Sequence, residues 1–140
     1  MVTLFTRIIE GELPGRFVWK DDLCVAFLTI QPLRPGHTLV VPKVEVDHWI
    51  DLKPDLLSHL TQTAQTIGKA IQTIWNPEKV ALYLVGVEVP HVHFHVSPIW
   101  DMEDIRFDLA DTNPTAVSMN DAADRIRIEL KHMGCSSVAG

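Results

Sequence analysis

An α+β fold, built on a mainly antiparallel sheet of about five strands with an N-terminal helix, one long helix and a C-terminal helix, is what this sequence predicts. Three observations carry that reading. From Lys53 to Trp75 the apolar residues keep helical spacing. Short β-prone runs lie outside that segment, bounded by Pro, Gly and Asp. Runs that follow one another are joined by tight turns, which only antiparallel neighbours tolerate.

Taken in order, Leu4, Phe5, Ile8 and Ile9 recur at helical spacing until Gly11 and Pro14, so the chain opens with a helix of about two turns laid against the sheet. Arg16 to Lys20 and Leu23 to Leu28 form a hairpin around Asp21 and Asp22. The prolines and glycine of IQPLRPG then break the sheet, and HTLVV, His37 to Val41, is a third strand closed by Pro42. Pro54 suits a first helical turn. Leu57, Leu60, Ala64, Ile67, Ile71 and Ile74 make the stripe of the long helix, and Leu56 and Ala70 widen it toward a second face. Asn76 and Pro77 stop that helix. KVALYLV is the fourth strand, and the turn GVEVP returns the chain antiparallel to it. Beyond Trp100 the stretch DMEDIRFDLADTNP has no clean period and reads as irregular. Ser118 followed by Asp121 resembles a capping box, opening a helix over Asp121 to Met133 that Gly134 stops. The last residues, CSSVAG, are expected to fray.

These elements make one domain over residues 1–140, a length that buries about two thirds of the unfolded surface. No apolar run approaches the ~20 residues of a membrane span. Arg7, Glu10 and Glu12 interrupt the N-terminal apolar segment, which excludes the layout of a signal peptide, so the expectation is a cytoplasmic protein without a membrane partner. A net charge of −6 argues against a nucleic-acid polymer, whose phosphates demand a basic surface, and leaves room for a small nucleotide held by local donors. Cys24 and Cys135 form neither a disulfide framework nor a metal knuckle and are expected as free thiols.

The fifth strand carries the chemistry. In PHVHFHVSPI, Pro90 to Ile99, His91, His93 and His95 alternate with Val92, Phe94 and Val96. Successive side chains of an extended strand point to opposite faces, so the imidazoles share one face at intervals of roughly 6.6 Å while the apolar groups enter the core. From the residues alone three readings stay open. The histidines are structural, or they hold a metal, since two at i, i+2 can chelate one ion, or they perform metal-free acid–base or nucleophilic chemistry.

HVHFHVS resembles the His-x-His-x-His signature of the histidine triad (HIT) superfamily. LFTRIIEGELP, DDLCVAFLTIQP and PGHTLVVPK resemble, in order, that family's N-terminal helix, second strand and third strand. The resemblance implies a HIT-like fold and a homodimer joined through the long helix and an edge strand. It also implies a nucleotide hydrolase or transferase of the bacterial, phosphoramidase-like branch, acting at the α-phosphate of a nucleoside monophosphate ester or phosphoramidate. The reaction would pass through a covalent nucleotidyl-histidine, without cofactor or metal. Imidazole suits that role, being largely uncharged near neutral pH yet a good leaving group. By this resemblance His93 is the nucleophile, its far nitrogen held by the main-chain carbonyl of His91, the positioner. His95 donates to the phosphate oxygens, and His37 orients His91 or binds phosphate. Leu4, Phe5, Ile8, Phe27 and Ile30 fall where relatives form the slot for the base, although each alone reads as core. The alternatives are a metal-dependent hydrolase with the triad as ligands, and a non-catalytic nucleotide-binding module.

The chain departs from the pattern in several places. Thr3, Thr6 and Glu45 stand where some bacterial relatives hold a structural zinc with two cysteines and a histidine. Threonine is not an ordinary zinc ligand, so that metal is expected to be missing. Thr29 replaces an Asp that grips both ribose hydroxyls in many relatives, and the single oxygen of a threonine cannot grip two hydroxyls as a carboxylate does. The short turn GVEVP puts Glu88 at about the place of a phosphate-binding Ser or Thr. There a carboxylate steers an amine leaving group and repels a polyphosphate, or else faces solvent. Ser97 replaces an apolar residue of the signature. His48, His59 and His132 match nothing in it and are read as solvated surface residues.

Overall fold

The computed structural model describes residues 2–140. In chain order the elements are α1 (Leu4–Ile9), β1 (Phe17–Lys20), β2 (Cys24–Leu28), β3 (Thr38–Pro42), α2 (Pro54–Trp75), β4 (Lys79–Tyr83), β5 (Phe94–Ile99) and α3 (Ala116–His132). The strands form one antiparallel sheet in the order β1-β2-β3-β5-β4.

Local chemistry places the helices. Thr3 caps α1, its Oγ1 accepting from the Thr6 amide at 3.2 Å. Pro54 opens α2 where its missing N–H costs nothing, and Asn76 ends it in the left-handed conformation, φ 46°, before Pro77. Gly36 lies at φ 97° against the ring of Trp75, so close that a Cβ would sit 2.5 Å away. That turn delivers His37 to the start of β3.

Packing follows the alternation of the strands. On one face α2 and α3 meet the sheet, burying Leu60, Ile67 and Ile71 against Phe94, Val96 and Ile126. On the other, α1 lays Phe5 on Val25, Phe27, Leu39 and Val41. Both faces being covered, β2 and β3 are buried at every position. Among the described residues no helix is long and apolar enough to cross a membrane.

Several expectations need correction. The fifth strand begins at Phe94 rather than Pro90, because the Val92 amide donates to the Val46 carbonyl of the β3–α2 connection instead of a ladder partner. β3 starts at Thr38, one residue later than expected, and Pro42 is its last residue. The region after Trp100 folds into two 3-10 turns, Met102–Ile105 and Phe107–Leu109, the first held by a capping box of Asp101 and Asp104. α3 starts at Ala116 because Thr115 is the cap, accepting from the Ser118 amide at 3.1 Å. The C-terminal residues do not fray: the Lys20 amide donates to the Ser137 carbonyl at 2.9 Å and the Ala139 amide to Val18 at 3.1 Å, along the outer edge of β1. Finally, the second apolar face of α2 is covered by α3 of the same chain, whose Ala122, Ala123 and Ile126 join Ala70 in the core.

Candidate active site

The triad imidazoles sit on the face that α1 partly covers, and their partners dictate where each ring carries its proton. His93 Nδ1 lies 2.8 Å from the main-chain carbonyl of His91. A carbonyl only accepts, so the neutral ring is protonated at Nδ1 and keeps an open lone pair on Nε2. His91 Nε2 donates to the Pro42 carbonyl at 2.8 Å, so its Nδ1 is an acceptor and takes the Thr3 hydroxyl at 2.6 Å. The Thr3 amide in turn donates to Glu45 Oε1 at 2.7 Å, and the Thr6 hydroxyl donates to the same oxygen at 2.5 Å.

The opposite end of the row follows the same logic. The Leu33 amide donates to His37 Nδ1 at 3.1 Å, which leaves the His37 proton on Nε2, and Nε2 donates to His95 Nδ1 at 2.9 Å. His95 therefore carries its own proton on Nε2. With their ring centroids 4.9 Å apart, His93 and His95 present a lone pair and an N–H side by side. Tyr83 of β4 stacks on His95 at 4.7 Å, and Phe107 meets the same ring edge-on at 5.7 Å.

All four histidines are buried. Burial lowers their basicity, and the crowding of like rings adds to it: His37 falls to about 4, further lowered by His93, and His95 to about 3, further lowered by His37 and His93. Burial also lowers His91 and His93, countered in part by the carbonyls each ring faces. At neutral pH the row is uncharged, the condition under which these tautomers hold. Around Glu45 the pull is the reverse, its carboxyl held below the usual range by the Thr6 hydroxyl and the Thr3 amide.

The expected site residues divide. His91, His93 and His95 come together with His37, but His37 orients His95, not His91. Phe5 packs edge-on to His93 at 4.8 Å and to Phe27 at 5.7 Å, with Ile8 in the same cluster, whereas Leu4 and Ile30 are exposed. Thr29 is half-buried and its hydroxyl accepts from the Gln31 amide at 3.3 Å. Glu88 is exposed and, among the described residues, forms no hydrogen bond or ion pair. His48 and His132 are exposed as expected, whereas His59 is half-buried with Nε2 2.8 Å from Asp21 Oδ2.

Sequence reasoning missed three features. One is the Thr3–Thr6–Glu45 cluster, read only as the place of a lost zinc site. Another is the aromatic flank of Tyr83 and Phe107. The third is a cavity of about 210 Å³ that reaches His93 between Asp47, His48 and Trp49 on one side and the Leu84–Val87 turn on the other. The last two depend on register and loop path, for which the chain carries no local signal.

The stretch that carries these histidines is also one that known proteins match. The HIT domain family model matches residues 10–100, which include His37 and the triad. An uncharacterised HIT-like protein of Saccharolobus solfataricus is 30% identical over 105 residues, spanning 71% of this chain and 76% of that protein. A bifunctional bis(5'-adenosyl)-triphosphatase/adenylylsulfatase of Arabidopsis thaliana is 34% identical over 90 residues, 61% of this chain and 50% of its own length. Among solved structures, a Hit-like protein involved in cell-cycle regulation from Bartonella henselae superposes with a TM-score of 0.78 at 27% identity, covering 91% of this chain and 95% of its own.

Proposed function

The chain belongs to the HIT domain family, whose members include nucleotide hydrolases, and on that premise we propose that it hydrolyses a nucleoside monophosphate ester or phosphoramidate through a nucleotidyl intermediate on His93. The observation that supports this reading best is the opposite proton polarity of His93 and His95. Nε2 of His93 attacks the α-phosphorus as the bond to the leaving group breaks. The ring becomes cationic, and its Nδ1–H bond to the His91 carbonyl strengthens. The Nε2–H of His95 meets the phosphate oxygens where charge builds. Water then attacks the phosphorus, frees the nucleoside monophosphate and restores the imidazole. Over both steps water supplies a hydroxyl to phosphorus and a proton to the leaving group.

Phe5, Ile8 and Phe27 supply an apolar wall for the base beside the nucleophile. Thr29 offers the ribose one acceptor, and Glu88, free in solvent, is available to an amine leaving group. The metal-hydrolase alternative fares worse on the hydrogen bonds, because both ring nitrogens of His91 and of His37 already have protein partners. Assembly is part of the same proposal: two copies pair through β4, an edge strand whose Leu82 is half exposed. The face of α2 no longer argues for pairing, since α3 covers it.

The test is turnover of adenosine phosphoramidate, with the reacting protein quenched in alkaline denaturant, which spares the acid-labile phosphorus–nitrogen bond, and then analysed by mass spectrometry. An adenylyl adduct on the peptide that contains His93 supports the reading. Tight AMP binding without turnover would convert the protein to a nucleotide-binding module, and activity abolished by chelators would favour the metal hydrolase.

A further inference from the structure

On the face of the sheet that α2 and α3 cover, opposite the triad, Asp21 of the β1–β2 turn, Cys24 at the start of β2 and His59 of α2 bring one ligand atom each within 4.8 Å of one another. We propose that these three side chains form a binding site for a zinc-class divalent cation, one that staples the β1–β2 hairpin to α2.

The donor set is one carboxylate oxygen, one sulfur and one imidazole nitrogen. That mixture suits a borderline cation such as zinc and not magnesium or calcium, which take oxygen throughout. Its charge also fits, since a thiolate and a carboxylate together cancel a dication. Tetrahedral zinc holds its ligands about 3.3 to 3.7 Å apart. Cys24 Sγ and Asp21 Oδ2 already stand 3.6 Å apart, and the 2.8 Å between His59 Nε2 and Asp21 Oδ2 is a hydrogen bond that opens once a cation replaces its proton.

The surroundings hold Asp21 in place for that role. Its Oδ1 accepts from the Leu23 amide at 2.8 Å and the Cys24 amide at 2.9 Å, and its Oδ2 from the Trp19 indole N–H at 2.8 Å, which leaves one lone pair of Oδ2 for a cation. Burial raises the Asp21 pKa, yet these bonds and that from His59 outweigh it and bring it to about 2. Cys24 is the guarded member: burial, with the Asp21 charge beside it, pushes its thiol up to about 12, and Thr63 Oγ1 lies 3.8 Å from the sulfur. Without a cation the thiol keeps its proton. Binding sends that proton to solvent, and His59 moves its own to Nδ1 so that the Nε2 lone pair reaches the metal. His59 is 35% exposed, which provides the entry path and an open fourth position for water.

The experiment titrates Co²⁺ into the intact chain after dialysis against a chelator, with no nucleotide present. A 1:1 complex with an ultraviolet thiolate-to-cobalt band and tetrahedral visible bands is expected. Zinc should displace it and raise Tm. The band should persist in Cys135→Ser, vanish in Cys24→Ser, and need about 10-fold or more cobalt in His59→Gln. Should Cys24→Ser fail to fold, the half-exposed His59→Gln decides alone. No band at one equivalent, a band lost in Cys135→Ser, or a titration unchanged in His59→Gln would overturn the proposal. Because the readout needs no substrate, its failure is separate from any failure of the nucleotide reading.

Discussion

The two ends of the histidine row are held by different means. His91 and His93 are pinned to main-chain carbonyls, which cannot change their hydrogen-bonding sense, and His91 is tied through Thr3 to the cap of α1. His37 and His95 are pinned to each other, one imidazole on another, with only the Leu33 amide fixing the direction. A ring tied to a carbonyl keeps its lone pair outward whatever its neighbours do, which suits a nucleophile. A ring tied to a ring keeps its proton in place only while both rings stay neutral and the partner's own tautomer is fixed, because an imidazole can reverse its hydrogen-bonding sense. Burial of His37 and His95 is what keeps them neutral.

That contrast can be broken at several points. The largest effect is expected at the pinned end, where His93→Ala should lower kcat by about 10³-fold or more with the far-UV circular dichroism unchanged. A variant retaining over about a tenth of wild-type kcat, a loss under about 1.4 kcal/mol, would remove His93 from the nucleophile's role. At the relayed end, His37→Phe fills the space but lets His95 choose either tautomer. A drop in kcat of about 10- to 100-fold with little change in KM is expected. Equal kcat in both proteins would mean the relay does not orient His95.

Acid sharpens the same comparison without mutation. The folded-state pKa values of His37 and His95, about 4 and about 3, lie below the ordinary 6.5, so the unfolded chain binds protons more readily over that interval. Stability should be full above pH 6.5 and fall as pH drops toward 4 and then 3. Denaturant midpoints across that range check the sign, and His37→Phe should flatten the slope. A smaller effect is expected from Thr3→Val, which removes the donor to His91 Nδ1 and the cap of α1. About 1 kcal/mol of stability and a several-fold loss of kcat should follow, with Thr3→Ser restoring both. Loss of stability alone would make the Thr3 contact a cap and nothing more. Smallest of all is Ser97→Ala. Its hydroxyl is buried two residues beyond His95 with no protein partner among the described residues, so Tm should stay level or rise by the equivalent of up to about 1 kcal/mol.

The order of elements and the alternation His91, Val92, His93, Phe94, His95, Val96 were legible because both rest on periods that the chain itself displays. What was not legible depends on distant partners. Whether His37 would meet His91 or His95 turns on the register of β3 against β5, where Leu39 faces His95. Tyr83 stacks on His95 because the two residues are cross-strand partners, a pairing set by the return path of the turn. Ser118 and Asp121 imitate a cap, yet Thr115 takes the position because it lies outside the first turn with an extended backbone. His59 read as a surface residue because its partner, Asp21, is far away in sequence.

The C-terminal strap along β1 also decides how far edge-to-edge growth can go. A sheet with two bare edges can add copies without limit, which is the geometry of a fibre. Here Ser137 to Ala139 occupy the backbone groups of β1, so among the described residues β4 remains the single vacancy at the sheet's ends. Two copies that meet there consume both vacancies, and the ten-stranded product has a strapped strand at each extremity. If copies pair through β4 as proposed, growth would stop at two. Trimming the last residues would restore the second vacancy and, for copies that pair as proposed, open a route to unlimited aggregation, so under that proposal the tail would limit the size of the assembly from the side of the molecule farthest from the contact.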